Sequence, residues 1–142
     1  MSRPQADAPL LLGRRRRTLR LVLALNATVD VTIGAFATLA PHSFYRYVLG
    51  VDLLGPYNQH LMSDVGGFYL GFGLLFAWAA CNLARELVRA ACVAAVLTSV
   101  LHFIYHAQHL EHFTGGQAAT QTAGLAIAIA LPIIALLISR GG

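Results

Sequence analysis

The chain has 142 residues, of which 57% are hydrophobic and only 11% are charged. Soluble domains carry about a quarter charged residues, so this composition excludes an ordinary water-soluble domain. The net charge of +4 comes with ten arginines and no lysine, and five of the arginines (Arg14 to Arg17 and Arg20) directly precede the first apolar run. A basic cluster at that place is typical of a topology signal or of a contact with anionic lipids. We therefore expect the lipid bilayer as a partner and no nucleic acid.

Four apolar segments have the length of about 20 residues that a bilayer crossing requires. Residues 1–17 are predicted to be a basic cytoplasmic N-terminal segment, disordered or interfacial, and residues 18–142 a single transmembrane domain. The predicted helices cover 18–40, 58–82, 86–110 and 117–139, with Pro41, Gly55-Pro56 and Gly115-Gly116 as the breaks between them. Aromatic residues at Phe44, Tyr45 and Tyr47 predict a short interfacial helix between the first and second spans. The predicted fold is all-α, a four-transmembrane-helix bundle.

The arginines also predict the orientation of the bundle. With the N-terminus in the cytoplasm, nine arginines lie inside: Arg3, Arg14, Arg15, Arg16, Arg17, Arg20, Arg85, Arg89 and Arg140. Only Arg46 then lies outside, and the reverse orientation would contradict the positive-inside bias. We expect a multi-pass protein of the cell (plasma) membrane with both termini in the cytoplasm.

Polar and small residues recur at helical spacing on each predicted span. The four stripes are Asn26, Asp30 and Gly34; His60, Asp64, Gly67 and Gly71; Ser99, His102, His106 and His109; and Gln117, Gln121, Gly124 and Ala128. Ionisable groups at membrane depth normally turn toward the bundle interior, and small residues permit close helix packing. The stripes therefore predict a polar pocket inside the bundle that opens toward the external face.

The residue types in this pocket suit two kinds of chemistry. The predicted metal ligands are His60, Asp64, His102, His106 and His109, a set of imidazole and carboxylate groups that suits zinc, iron or copper. A haem with one axial histidine from each of two helices is a narrower option. The predicted catalytic residues are Asp64, His102 and Asp30, which could perform redox or acid–base chemistry on a lipid-soluble small molecule such as a quinone. Gly67, Gly71 and Gln121 are the candidate cofactor contacts.

A structural interpretation stands beside the functional one. The same polar residues could lock helix packing or dock a partner in a non-catalytic membrane subunit, and the glycines could serve packing alone. A homo-oligomer or a larger membrane complex fits this alternative.

The order of motifs resembles a known group of small membrane proteins. An apolar helix is followed by Pro41-His42-Ser43-Phe44-Tyr45 and Gly50, then by His60-Leu61-Met62-Ser63-Asp64-Val65-Gly66-Gly67 and the run Leu70-Gly71-Phe72-Gly73. This arrangement is similar to the DoxX-like four-helix membrane proteins along nearly the whole chain. Named members of that group are linked to quinone-coupled sulfur oxidation. The resemblance implies the four-helix fold and carries no catalytic motif over to this chain.

Overall fold

The computed structural model describes residues 7–140, with side chains from residue 13 onward. In chain order the helices are α1 (Asp7–Leu39), α2 (Pro41–Tyr47), α3 (Gln59–Asn82), α4 (Arg85–Ala107) and α5 (Gly115–Arg140), with a 3-10 turn at Leu110–His112. Four of these helices, α1 from Gly13 onward together with α3, α4 and α5, are long and apolar enough to cross a membrane. The predicted all-α fold with four spanning helices is confirmed, and the aromatic segment does form a short helix, α2.

The helix boundaries differ from the prediction most at the start of α1, at the end of α4, which lies at Ala107 and not at residue 110, and at the start of α5. Helix α1 begins at Asp7, so the arginine run is helical; residues 1–6 of the predicted N-terminal segment lie outside the described residues. Helix α5 begins at Gly115 because Thr114 and Gln117 form a reciprocal cap. The Thr114 N–H donates to Gln117 Oε1 over 3.0 Å, and the Gln117 N–H donates to Thr114 Oγ1 over 3.4 Å. This capping box outweighs the low helix propensity of two glycines.

The spanning helices form a ring in chain order, in which α1 packs against α3 and α5, and α4 packs against the same two helices. Helices α1 and α3 make the closest pair. A Cβ atom added to Gly34 would lie 2.7 Å from the backbone nitrogen of Leu70, and one added to Gly73 would lie 2.9 Å from that of Val31. Since such distances are shorter than van der Waals contact, only glycine permits this approach of the two backbones.

The ring has two chemically distinct ends. We call the end that carries Arg20, Arg85 and Arg140 the arginine end, and the end that carries His60 and His106 the histidine end. An apolar cluster fills the arginine half, and its buried members are Leu19, Leu23, Ala27, Phe76, Ala79, Ala80, Val88, Ala91, Cys92, Ala95 and Ala135. A smaller cluster of Ala37, Phe44 and Met62 lies under α2 at the histidine end. The space between the two clusters is incompletely filled.

Candidate binding cavity between the four helices

A cavity of about 330 Å³ lies between the two apolar clusters and receives residues from all four spanning helices. Its walls are formed by Asp30, Val65, Phe68, Tyr69, Phe72, Ala95, Thr98, Ser99, His102, Leu125 and Ala128. A smaller space of about 70 Å³ adjoins it and shares Asp30, Tyr69 and Ser99. Polar groups from α1, α3 and α4 thus meet in a cavity whose remaining walls are mainly apolar.

The cavity lies deeper than the predicted pocket. Tyr69 and Ala128 are near the middle of α3 and α5, and Asp30 and Ser99 are close to the middle of their own spans. His102 is the lining residue nearest to the histidine end of α4. The predicted partnership of Asp30 and His102 in one pocket is therefore consistent with the geometry, while the level of that pocket shifts toward the bundle centre.

The polar side chains of this region differ in their hydrogen bonding. Asn26 donates to the carbonyl oxygen of Val22, and the Thr98 hydroxyl donates to that of Ala94, so both are satisfied by their own helices. Among the described residues, the side chains of Asp30, Tyr69 and Ser99 form no hydrogen bond with another protein group, although all three line the cavity. Their donors and acceptors remain available to a bound molecule.

Asp64 and His60 lie outside this cavity. Their side chains are 50% and 87% exposed, and His60 Nδ1 is 3.6 Å from Asp64 Oδ1 on the outer face of α3. Gly67 and Gly71 share that face, and a Cβ atom added to either would meet nothing within 4 Å. The stripe was correctly placed on one helical face, but the prediction that this face turns inward is wrong. Helix α3 turns its opposite face inward because the glycines on that face, Gly66 and Gly73, pack closely against α1.

His106 and Gln121 form a buried pair between α4 and α5, near the histidine end. The Gln121 side-chain amide is hydrogen-bonded to His106 Nδ1, and the two residues are 8% and 9% exposed, respectively. Gly50, with φ +90°, lies against this pair, because a Cβ there would be 2.8 Å from Gln121 Oε1. The His106 ring also contacts the His102 ring edge-to-face, with centroids 4.5 Å apart. Gln121 therefore supports a histidine and does not line the cavity.

The predicted metal ligands are distributed over separate environments. His60 and Asp64 lie on the outer face of α3, His102 lines the cavity, and His106 is buried against Gln121. The Nδ1 atom of His109 lies 2.7 Å from the carbonyl oxygen of Tyr105, one helical turn earlier. Within residues 7–140, no group of three or more His, Cys, Asp or Glu side chains is placed to hold a metal ion. The five predicted metal ligands therefore do not form one coordination shell.

Tyr69 is a polar cavity residue that the predicted polar stripes do not include. It belongs to a second α3 stripe with helical spacing, formed by Met62, Gly66, Tyr69, Gly73 and Phe76. All of these except Tyr69 are buried, and Tyr69 is half-buried at the cavity wall. A single hydroxyl in a stripe of apolar and small residues was the available signal, and the competing stripe with two ionisable groups obscured it.

The chain belongs to the family described as domain of unknown function DUF4345, which matches residues 18–106, more than half of the sequence. The match covers most of the spanning part of α1, then α2, α3 and nearly all of α4. No curated protein and no solved structure matches the chain. The comparisons lend no support to the resemblance to DoxX-like proteins.

Proposed function

We propose that this DUF4345 family member binds a lipid-soluble small molecule, whose hydrogen-bonding head group occupies the cavity between the four spanning helices. The observation that carries the proposal is the set of unpaired polar side chains, Asp30, Tyr69 and Ser99, in a cavity with mainly apolar walls. Ligand pockets commonly combine an apolar lining with a few convergent polar groups. An unpaired carboxyl group at membrane depth is costly, and such residues commonly mark functional sites.

The size and chemistry of the cavity favour a quinone-type head group. A volume of about 330 Å³ is at the lower end of the roughly 300–1,000 Å³ that small-molecule sites occupy, which suits a ring and excludes a whole lipid. A quinone offers two carbonyl acceptors, and the hydroxyl groups of Tyr69 and Ser99 are donors at the cavity wall. Asp30 and His102 add groups capable of acid–base chemistry on a bound molecule.

The proposal is tested by filling the cavity. We expect decyl-benzoquinone to raise the Tm of the purified protein in nanodiscs, because a ligand that binds only the folded state stabilises it. Decylbenzene, which has the same tail and no carbonyl group, should have no effect. Ala128→Phe, which places a ring in the cavity, should abolish the shift, while Ile127→Phe on the lipid-exposed side of α5 should preserve it. If the quinone stabilises neither wild type nor Ile127→Phe, the polar residues serve packing or partner docking instead.

We further propose that the protein lies in the plasma membrane with its arginine end in the cytoplasm. The positive-inside bias supports this orientation. The test uses single cysteines in a Cys81→Ala background, because Cys92 is buried and Cys81 is exposed. Asp52→Cys, in the loop after α2, should react with a membrane-impermeant maleimide on intact cells. Glu86→Cys, 84% exposed at the start of α4, should react only after the cells are opened. The reverse pattern would invert the orientation.

A further inference from the structure

Helices α3 and α4 are joined tightly at one end and separated by the cavity toward the other. Only Leu83 and Ala84 lie between them at the arginine end, where Ala80 and Val88 belong to the same buried cluster. Toward the histidine end, the side chains that these helices present to each other line the cavity instead. Of the neighbouring helix pairs in the ring, α3 and α4 are the least closely packed. The seam between them is therefore the weakest part of the cavity wall.

Residues on both sides of this seam line the cavity and have exposed side chains. Phe68 of α3 is 71% exposed, and Thr98 and His102 of α4 are exposed as well. All three lie within spanning helices, so the surface that they form faces the hydrocarbon region of a bilayer. The cavity is thus continuous with a surface that contacts lipid.

Along the bundle axis, packed residues close the cavity at both ends. The buried apolar cluster fills the arginine half, as described above. At the histidine end, α2 and the following loop cover the bundle, where Phe44 and Met62 are buried and the rings of His42 and Tyr57 stack with centroids 4.0 Å apart. A molecule with a long apolar tail has little room along the bundle axis.

We infer that the seam between α3 and α4 is a lateral opening through which a single-chain lipid-soluble molecule is taken from the bilayer, with its head in the cavity and its tail passing beside Phe68 and Thr98. The inference rests on the proposed function and adds the route and the shape of the ligand. A tail that passes through the seam remains in an apolar environment, while the head exchanges lipid for the hydroxyl groups of Tyr69 and Ser99. The geometry selects ligands with one flexible chain attached to a compact polar ring.

The test compares two probes that share a head group, decyl-benzoquinone and tailless methyl-benzoquinone, on the full chain in nanodiscs. Thr98→Trp should block the seam and exclude the tailed probe sterically, with at least about a tenfold loss in its affinity. The tailless probe should bind the same variant with unchanged affinity at equilibrium, because in the bound state its head lies in the cavity and nothing occupies the seam. Val93→Trp, at a lipid-exposed position of α4 outside the cavity lining, should bind both probes like wild type. If Thr98→Trp binds the tailed probe as tightly as wild type does, the lateral opening is overturned and the proposed function remains intact.

A second measurement requires no substitution. A decyl-benzoquinone with a photoreactive diazirine in the part of its tail next to the ring should label the segments that contain Phe68 and Thr98 in wild type, and an excess of unmodified decyl-benzoquinone should suppress that labelling. Labelling near Leu74, which is 70% exposed on α3 away from the cavity, should be unaffected by the competitor. Uniform labelling without competition would contradict the lateral opening. Failure of both probes to bind wild type would instead refute the proposed function.

Discussion

Arg15 donates a hydrogen bond of 2.7 Å from Nε to the carbonyl oxygen of Ile138, which lies 123 positions later in the chain. Arg20 makes an equivalent bond of 3.1 Å to the carbonyl oxygen of Ala80. The last carbonyl groups of a helix have no partner within that helix, and cationic side chains near a C-terminus satisfy them favourably. Two arginines of α1 thus stabilise the ends of α5 and α3, in addition to any effect on topology.

This role predicts that the arginines of the basic cluster are not equivalent. Arg15→Gln should lower the free energy of unfolding by about 1–2 kcal/mol, because two hydrogen bonds from a charged donor to the Ile138 carbonyl oxygen are lost at the end of α5. Arg16→Gln removes the same charge from an exposed neighbour and should change stability by less than about 0.5 kcal/mol. Thermal unfolding of both variants in detergent makes the comparison. Equal destabilisation would show that net charge is the cause.

The glycines of α3 should also differ in their tolerance of a methyl group. Gly73→Ala is expected to destabilise the bundle by about 1–3 kcal/mol, since its Cβ would lie 2.6 Å from Val31 Cγ2 and 2.9 Å from the backbone nitrogen of the same residue. Gly71→Ala meets open space and should be neutral or stabilising by up to about 1 kcal/mol through helix propensity. Chemical or thermal unfolding in detergent would distinguish them. A destabilising Gly71→Ala would indicate that this face packs against another molecule.

The buried His106–Gln121 pair yields a test of coupling. His106→Leu leaves the Gln121 amide buried without its partner and should cost about 1 kcal/mol of stability. The double variant with Gln121→Leu should recover part of that loss, because no unpaired polar group remains. His109→Leu, which removes a contact within one helical turn, is the matched control and should cost less. If the effects of His106→Leu and Gln121→Leu on the free energy of unfolding are additive, the interhelical hydrogen bond is contradicted.

Substitutions of Asp30 and Asp64 should differ in their effect on ligand binding. In its protonated form the Asp30 carboxyl group donates a hydrogen bond to a quinone carbonyl group at the cavity wall. Asp30→Leu should therefore weaken decyl-benzoquinone binding at least about tenfold, which corresponds to one lost hydrogen bond of roughly 1.4 kcal/mol. Asp64→Leu changes the outer face of α3 and should leave the affinity unchanged. Titration of each variant in nanodiscs measures the difference. A larger loss of affinity in Asp64→Leu than in Asp30→Leu would indicate that Asp64 belongs to the binding site.

The number and length of the helices were predictable because they depend on local features of the chain. Apolar runs of spanning length, the proline and glycine breaks, and the aromatic segment of α2 each act within a few residues. The start of α5 was also predictable in principle, since Thr114 and Gln117 have the spacing of a capping box. The start of α1 was missed because a run of charged residues was assigned to a polar segment, although arginine is a good helix former.

The rotation of each helix was decided only by the tertiary structure. In water, the hydrophobic effect turns the apolar face of a helix inward, but lipid is as apolar as the interior of this bundle. Two stripes of α3, one with Asp64 and Gly67 and one with Gly66 and Tyr69, were therefore both compatible with the sequence. The fit of Gly34 against Leu70 and of Gly73 against Val31 turned the second stripe inward. Close packing between α1 and α3, a contact between distant parts of the chain, thereby placed Tyr69 in the cavity and Asp64 outside it.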